Sequence, residues 1–475
     1  MTAFTHSFAA LARKLIGACA VILALALTSA PAAAQGLIRD AEIEDTLRVY
    51  TNPLLEAAGL TPSDVSLYIV GDSSLNAFVA GGQNIFVHTG LILAADNPNE
   101  LIGVLAHETG HIAGGHLARQ REAVNKSMRT ALISIGLGLL AIASGAPDAG
   151  AVLMASSQNF AMGNMVRHTQ VQESAADQAA LEYLIRTGQS PRGLIDFFNE
   201  NVRPYEFMIR RMPPYLMTHP FSSDRVEALR ERVQGSELYD VQDSPDFVRR
   251  FQFMQAKLVG FIQSQGETLA RYPLSDTSQP ARYARAVAYY RVSDLPKARE
   301  EMAVLMREDP NNPYFQELMG QILFENGRAE EALPYNRRAL ELAPGQPLLQ
   351  VALARALIAA EGRPGADAAI PLLQSAIDAE RDNAYAWREL AAARELRGER
   401  SLAELASAEL NFSIGNYPAA MSFAERARRS LPRNTPSFQR ATDIVTFAGA
   451  EVRERQANQQ GRRRSAAPAA AAHAH

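Results

Sequence analysis

A spacing of 34 residues between like residues constrains this chain more than any other feature of its sequence. From about residue 281, alanines and prolines recur at that spacing; the pairs are Ala298 with Ala332, Pro310 with Pro344, and Pro313 with Pro347. The prolines flank a loop between helices, and Gly327 to Ala332 is typical of the tight turn inside a helical hairpin, a pattern that returns from Gly415 to Ala420. Such hairpins stack on their neighbours, bury a shared core and expose a concave face.

A helix-turn-helix period of 34 residues resembles the tetratricopeptide repeat, with about four imperfect units over residues 281–454. An ordinary helical bundle is the alternative. After Arg455 the chain becomes polar and then runs through three arginines into Ala, Pro and His. We therefore predict a disordered tail over residues 455–475.

At 475 residues the chain is too long for one core, and we predict a separate domain over residues 35–265. Strand patterns at 65–70, at 76–79 and at 84–88 indicate a small sheet, with the last two paired. Asn97 as cap and Pro98 in the first turn open a helix that we expect to reach about Gln120. The predicted fold class is therefore mainly α, with an α+β domain followed by an all-α solenoid.

The N-terminus predicts export. Arg13 and Lys14 precede an apolar run from Leu15 to Leu27, and Ala32-Ala33-Ala34 fits a cleavage site, so residues 1–34 are interpreted as a signal peptide. A membrane anchor and a lipid-modified Cys19 are the alternatives, but the apolar run is short for a span and Cys19 lies near its start. The formal charge of −4 gives no indication of nucleic-acid binding.

The chemistry is concentrated in His107-Glu108-Thr109-Gly110-His111, an HExxH motif. Residues four apart share a helix face, so His107 and His111 can offer two imidazoles to one ion, and zinc accepts such nitrogens. Because zinc lowers the pKa of a bound water to about 7, a carboxylate such as Glu108 can serve as general base. The flanking residues are apolar or small, and buried polar groups need partners, which favours a metal site over a solvated face.

The third ligand must come from another segment. His116 lies one residue out of the register of the HExxHxxGxxH pattern, so it is expected to point away from the metal. Glu173 is the better candidate, 62 residues after His111 and four before Asp177. We expect Glu173 to complete the ligand set and Asp177 to orient a ligand histidine. Two solvated acids on one face are the alternative.

These motifs together resemble the integral and periplasmic HExxH peptidases that include HtpX and the CAAX prenyl protease, among them periplasmic members with tetratricopeptide repeats. The matching segments occur in the family's order: Asn76-Ala77-Phe78 with Gly81-Gly82, the HExxH motif followed by His116-Leu117-Ala118-Arg119, residues 173–177, and Thr218-His219-Pro220 with Arg225. The resemblance covers nearly all of the chain after the leader, and the combination is more specific than any single motif.

The resemblance implies a zincin-type domain with one Zn2+ per chain at His107, His111 and Glu173, and with Glu108 as base. It places His219 and Arg225 beside the zinc, either near the oxyanion or in a self-blocking contact. It makes the strand 84–88 the edge on which an extended substrate pairs. His88 and His168 are interpreted as structural.

The implied function is an endopeptidase of the periplasm that degrades misfolded or stalled envelope proteins. The repeats would dock substrates or an outer-membrane assembly machinery. The apolar segment 131–144 is too short to span a bilayer upright and is expected to be a buried helix, a lid or a peripheral membrane contact. The rival hypothesis is a non-enzymatic chaperone or scaffold that acts through the repeats, with a structural or permanently blocked zinc.

Overall fold

The computed structural model of the chain describes residues 36–119, 169–197, 199, 219 and 223–466. The predictions for the leader 1–34, for the segment 131–144 and for His168 fall outside these residues. The described part is mainly helical with one small sheet, as predicted. It divides into two compact units, one of residues 36–39 with Leu47–Val248 and one of Asp40–Thr46 with the chain from Arg249 onward. No described helix is both long enough and apolar enough to span a bilayer.

Among the described residues, the sheet of the first unit has four strands in the order β1-β2-β4-β3. These are β1 Leu37–Ile38, β2 Ser66–Val70, β3 Ala77–Ala80 and β4 Asn84–His88. The predicted hairpin is present, because β3 pairs antiparallel with β4 through a turn at Gly81 and Gly82, both with positive φ. On its other side β4 pairs in parallel with β2 over its whole length. The prediction that 84–88 is an edge strand is therefore wrong, and the outer strands are β1 and β3.

The helices of the first unit are α1 Ala41–Ala57, which belongs to this unit from Leu47 on, α2 Thr89–Ala94, α3 Pro98–Ala113, α4 at residues 169–186, α5 Gly193–Phe197 and α6 Ser223–Gln234. The side chain of Asn97 caps α3 by accepting a hydrogen bond from the backbone of Glu100, as predicted. However, α3 ends at Ala113 rather than near Gln120, because Gly115 adopts a φ of +60° that L residues avoid.

Helical hairpins make up most of the second unit. Its helices are α7 Pro245–Ile262, which enters this unit at Arg249, α8 Gln265–Arg271, α9 Gln279–Arg291, α10 Leu295–Glu308, α11 Pro313–Glu325, α12 Ala329–Leu342, α13 Pro347–Glu361, α14 Arg363–Ala379, α15 Ala384–Leu396, α16 Arg400–Ser413, α17 Tyr417–Ser430 and α18 Pro436–Ala466. The starts of α9, α11 and α13 are 34 residues apart. Ala298, Ala332 and Ala366 repeat the same spacing and are all fully buried.

Two boundaries of the second unit differ from the predicted ones. Helix α18 continues to Ala466, so the chain is helical past Arg455, where we expected disorder to begin. The first unit ends at Val248 rather than at 265, because Phe253 and Ala256 of α7 pack in the same core as Tyr283 and Phe315.

A buried charge cluster belongs to the second unit. Lys257 is fully buried, and its Nζ lies 2.8 Å from Asp40, 3.5 Å from Glu42 and 3.4 Å from Glu317. The Tyr283 hydroxyl donates to Glu42 at 2.6 Å. Three carboxylates and a phenol thus surround one ammonium, which a buried cation requires.

Candidate metal centre

Helix α3 is buried along almost its entire length, which places the polar side chains of the HExxH motif inside the first unit. His107 and Glu108 have no exposed surface. The close approach of α4 depends on Gly110 within the motif, since a Cβ there would lie 2.8 Å from the carbonyl oxygen of Ala176. This contact brings Glu173 and Asp177 of α4 against the two histidines of α3.

Four side chains direct donor atoms to one point. His107, His111, Glu173 and His219 each offer a ligand atom, and all four atoms lie within 4.8 Å of one another. The Nε2 atoms of the two α3 histidines are 3.0 Å apart, and each is 3.4 Å from a carboxylate oxygen of Glu173. Nδ1 of His219 lies 3.3 Å from Nε2 of His107. The structure thus brings together the three predicted ligands and the predicted neighbour His219.

The donor set fits zinc. Imidazole nitrogens and a carboxylate are its usual ligands in catalytic sites, and a tetrahedron with metal–ligand distances of about 2.0–2.1 Å has edges of about 3.3–3.4 Å. The contacts of 3.0 to 3.4 Å among these donors are close to that spacing.

The pKa values of the two α3 histidines shift in opposite directions. Burial lowers the pKa of His107, but hydrogen bonds to Asp177 and Glu173 outweigh it and raise the value to about 10. Burial lowers the pKa of His111 to about 3. Burial alone would raise the pKa of Glu173, yet hydrogen bonds from the histidines hold that pKa well below its ordinary value. The two imidazoles and the carboxylate thus perturb one another's pKa values strongly, as expected for ionisable groups that share one buried pocket.

Asp177 contacts the outer nitrogen of a predicted ligand. Its Oδ1 lies 2.9 Å from Nδ1 of His107, so the proton of His107 is on Nδ1. The lone pair of Nε2 is then directed at the other candidate ligand atoms. Burial alone would raise the pKa of Asp177, but hydrogen bonds from Arg225 and His107 lower it to about 2. The geometry agrees with the orienting role expected from the spacing of Glu173 and Asp177.

Arg225 lies beside the donor group and contacts two carboxylates there. Its Nε and Nη2 donate to the two oxygens of Asp177 at 2.5 and 2.8 Å, and Nη1 lies 3.0 Å from Glu173. The guanidinium is thus directed at the two carboxylates of α4 rather than at an oxyanion. Sequence reasoning placed Arg225 near the metal but did not predict this partner.

Glu108 is fully buried beside the donors. Neither of its carboxylate oxygens accepts a hydrogen bond from the described residues, and Nε2 of His219 lies 3.4 Å from Oε1. Burial raises the pKa of Glu108. A buried carboxylate without hydrogen bonds is costly to maintain, which indicates a functional rather than a structural residue.

Two other histidines have different outcomes. His88 lies outside the donor group; its Nδ1 is 2.9 Å from the Ser74 hydroxyl and its ring packs edge-on against Phe78, in agreement with a structural role. His116 is not among the four donors, as expected, and it places its Nδ1 3.0 Å from Nδ1 of His111, the nitrogen directed away from them. This contact could not be inferred from helical register, because α3 ends before the chain reaches His116. The adjacent Gly114-Gly115 was the available signal.

Comparisons with known proteins agree with this geometry. Residues 39–233 match the model of peptidase family M48. The chain is 27% identical over 380 residues to the beta-barrel assembly-enhancing protease of Yersinia pestis, covering 78% of this chain and 76% of that protein. It is 25% identical to the protein of that name from Escherichia coli K12, covering 82% and 80% of the two chains.

A shorter relative matches a smaller share of the chain. The metalloprotease LoiP of Escherichia coli K12 is 29% identical over 203 residues, which are 41% of this chain and 73% of that protein. The family match lies within the part of the chain that carries the HExxH motif, Glu173 and His219, whereas the longer relatives also match beyond it. The chain is therefore a metalloprotease that is similar to peptidase family M48 over residues 39–233, and over most of its length it is similar to the beta-barrel assembly-enhancing proteases.

Proposed function

We propose that this chain is a zinc-dependent endopeptidase in which His107, His111 and Glu173 bind one zinc ion and Glu108 is the general base. The observation that carries the proposal is the convergence of these donors within 4.8 Å of one another beside a fully buried glutamate. Two histidines and one carboxylate are a donor set of catalytic zinc, which keeps a further position open. Bound zinc supplies Lewis acidity and a water of lowered pKa.

The chain's own residues then have separate tasks. Glu108 accepts the proton of the attacking water and returns it to the leaving amine, which its burial next to the donors permits. Asp177 holds His107 in the tautomer that presents Nε2, through the 2.9 Å contact at Nδ1. Arg225 fixes Asp177 and Glu173 by charge-assisted hydrogen bonds, so we assign it a positioning role.

His219 is assigned to a self-blocking contact at rest. Its Nδ1 lies among the donors, 3.1 Å from Glu173, and its Nε2 is directed at Glu108. The ring of His219 therefore fills the fourth coordination position of the metal and also blocks access to Glu108. Water can be activated only after His219 moves, which would limit proteolysis until a substrate enters. An oxyanion-stabilising role for the same ring is the competing version.

The proposed substrates are unfolded or stalled proteins of the cell envelope. β3 is an outer strand and packs against α3, so an extended segment that pairs with it would lie beside the HExxH helix. Strand pairing recruits through backbone hydrogen bonds and needs little side-chain selectivity. A periplasmic location follows from the predicted leader 1–34.

The cellular process proposed is the assembly of outer-membrane β-barrels. The names of the two long relatives support it, and both match this chain beyond the catalytic domain. Helical hairpins offer the extended surface that such docking requires. We assign to them the binding of substrates or of the assembly machinery.

A second candidate is a scaffold in which the metal has only a structural role. The presence of His219 among the donors favours it, because structural zinc sites are closed by four protein ligands. Glu108 argues against it, since a closed structural site has no use for a buried carboxylate without hydrogen bonds. The enzyme is therefore the better supported function.

The variant Glu108→Gln separates the two candidates. The amide keeps the shape but cannot act as base, so casein hydrolysis should fall by about 10²-fold or more while zinc content stays at one per chain. Glu182→Gln, on exposed α4 surface, is the matched control and should keep full activity. If Glu108→Gln also restores every phenotype of cells that lack the protein, the scaffold takes the place of the peptidase.

A further inference from the structure

The segment that follows α3 returns to the metal centre. Gly115 takes a φ of +60° and ends the helix in a turn. His116 then lies back over Gly114, where a Cβ would come within 2.4 Å of its Nε2. Two consecutive glycines thus allow an imidazole outside the HExxH motif to reach the outer side of His111.

The contact that results joins two imidazoles through their Nδ1 atoms, which are 3.0 Å apart. One of the two must donate and the other accept. The Nε2 of His111 is directed at the donors of the metal centre, so its proton belongs on Nδ1. His116 is therefore the acceptor, and it carries its own proton on Nε2.

His116 is also held from the other side of the centre. It is buried, and its backbone carbonyl accepts a hydrogen bond at 3.3 Å from Gln172, the residue before Glu173. His116 thus contacts α3 through its ring, at His111, and α4 through its backbone, at Gln172. An exposed or loosely packed histidine would not be held in this way.

We propose that His116 positions the ring of His111, as Asp177 positions the ring of His107. The proposal rests on the metal site proposed above. It assigns the two ligand histidines different partners, a carboxylate for one and a neutral imidazole for the other. A neutral acceptor fixes the tautomer and the ring angle of His111 without adding negative charge, and the pocket already contains the carboxylates of Glu108, Glu173 and Asp177.

The test compares two amides in the full-length protein. In His116→Asn the side-chain oxygen replaces Nδ1, whereas in His116→Gln it falls at the position of Nε2. Zinc affinity is measured by competition with a chelator, and folding is checked by circular dichroism. The Asn variant should remain within about threefold of the parent, and the Gln variant should lose about 10- to 100-fold, the usual effect of losing an outer partner.

Gly114→Ala provides a second, independent variant. It keeps His116 but displaces its ring, so a loss of zinc affinity similar to that of His116→Gln is expected. Equal affinity of the Asn and Gln variants would overturn the assignment of His116 while leaving the zinc site intact. A parent protein that binds no zinc would overturn the metal site itself, and with it this inference.

Discussion

Nε2 of His219 lies 3.4 Å from Oε1 of Glu108, while the opposite nitrogen of the same ring is 3.3 Å from Nε2 of His107. One imidazole therefore bridges the base and the metal donors. If the resting state is blocked in this way, removal of the ring should expose both the fourth coordination position of the metal and the proposed base Glu108.

His219→Ala is accordingly expected to raise basal hydrolysis of casein severalfold at unchanged zinc content. A side chain that instead stabilises the oxyanion would give a fall of about 10²–10³-fold on removal. The measurement is the initial rate at saturating casein with zinc quantified in the same sample. A rate equal to that of the parent would contradict both roles.

Glu173→Ala should strip zinc from the purified protein, because it removes the anionic ligand, which lies within 3.4 Å of both α3 histidines. Metal analysis after dialysis measures the loss. Glu182→Ala is the control, since this residue is on the same helix but is exposed and paired only with Arg186 among the described residues. Equal zinc in the Glu173 variant and the parent would remove Glu173 from the ligand set.

Val79→Pro tests the outer strand. The backbone N–H of His88 donates to the carbonyl of Asn76, and antiparallel pairs alternate between bonded and non-bonded positions, so the N–H of Val79 faces away from β4. Proline there removes an outward donor and is tolerated at an edge. We expect a higher KM for unfolded casein with little change in zinc content.

Val79→Ala is the control for that substitution, because it shortens the side chain and keeps the N–H. The two variants should differ in KM, and an equal KM would show that substrate does not pair with the backbone of β3. A loss of zinc in the proline variant would show instead that the change disturbed the metal centre.

Lys257→Met tests the buried charge cluster of the second unit. It removes the ammonium that lies within 3.5 Å of Asp40, Glu42 and Glu317, and leaves three carboxylates close together. The free energy of unfolding of this unit should fall by about 3–5 kcal/mol. Urea unfolding followed by circular dichroism measures it.

Lys297→Met is the matched control on an exposed site, where the lysine pairs with Asp294. It should leave the free energy of unfolding nearly unchanged, because an exposed ion pair contributes little. Similar midpoints for the two variants would show that the charges at Lys257 are not coupled to folding.

The local features of the metal centre could be predicted from the sequence. A cap at Asn97, a proline at the next residue and histidines four apart specify a helix with two donors on one face, and the structure has them there. Glu173 and Asp177 share a face for the same reason. These predictions succeeded because each depends on residues within one or two turns of helix.

The errors came from features that local spacing does not determine. The position of β4 inside the sheet depends on its parallel partner β2, which lies beyond a hairpin and cannot be inferred from alternation. The contact of His116 with the outer nitrogen of His111 could not be inferred from spacing, because helical register does not extend past Gly115, where φ is positive. The boundary at Val248 reflects the packing of Phe253 against Tyr283, a tertiary contact.

The donors of the metal centre come from three stretches of chain, around residues 107–111, at 173 and at 219. A polypeptide that has not yet brought its distant segments together has at most a pair of histidines on one helix. On the proposed assignment, the unfolded chain therefore cannot hydrolyse other proteins, because proteolytic activity requires the folded donor group. Binding of the metal ion would then report that the chain has folded.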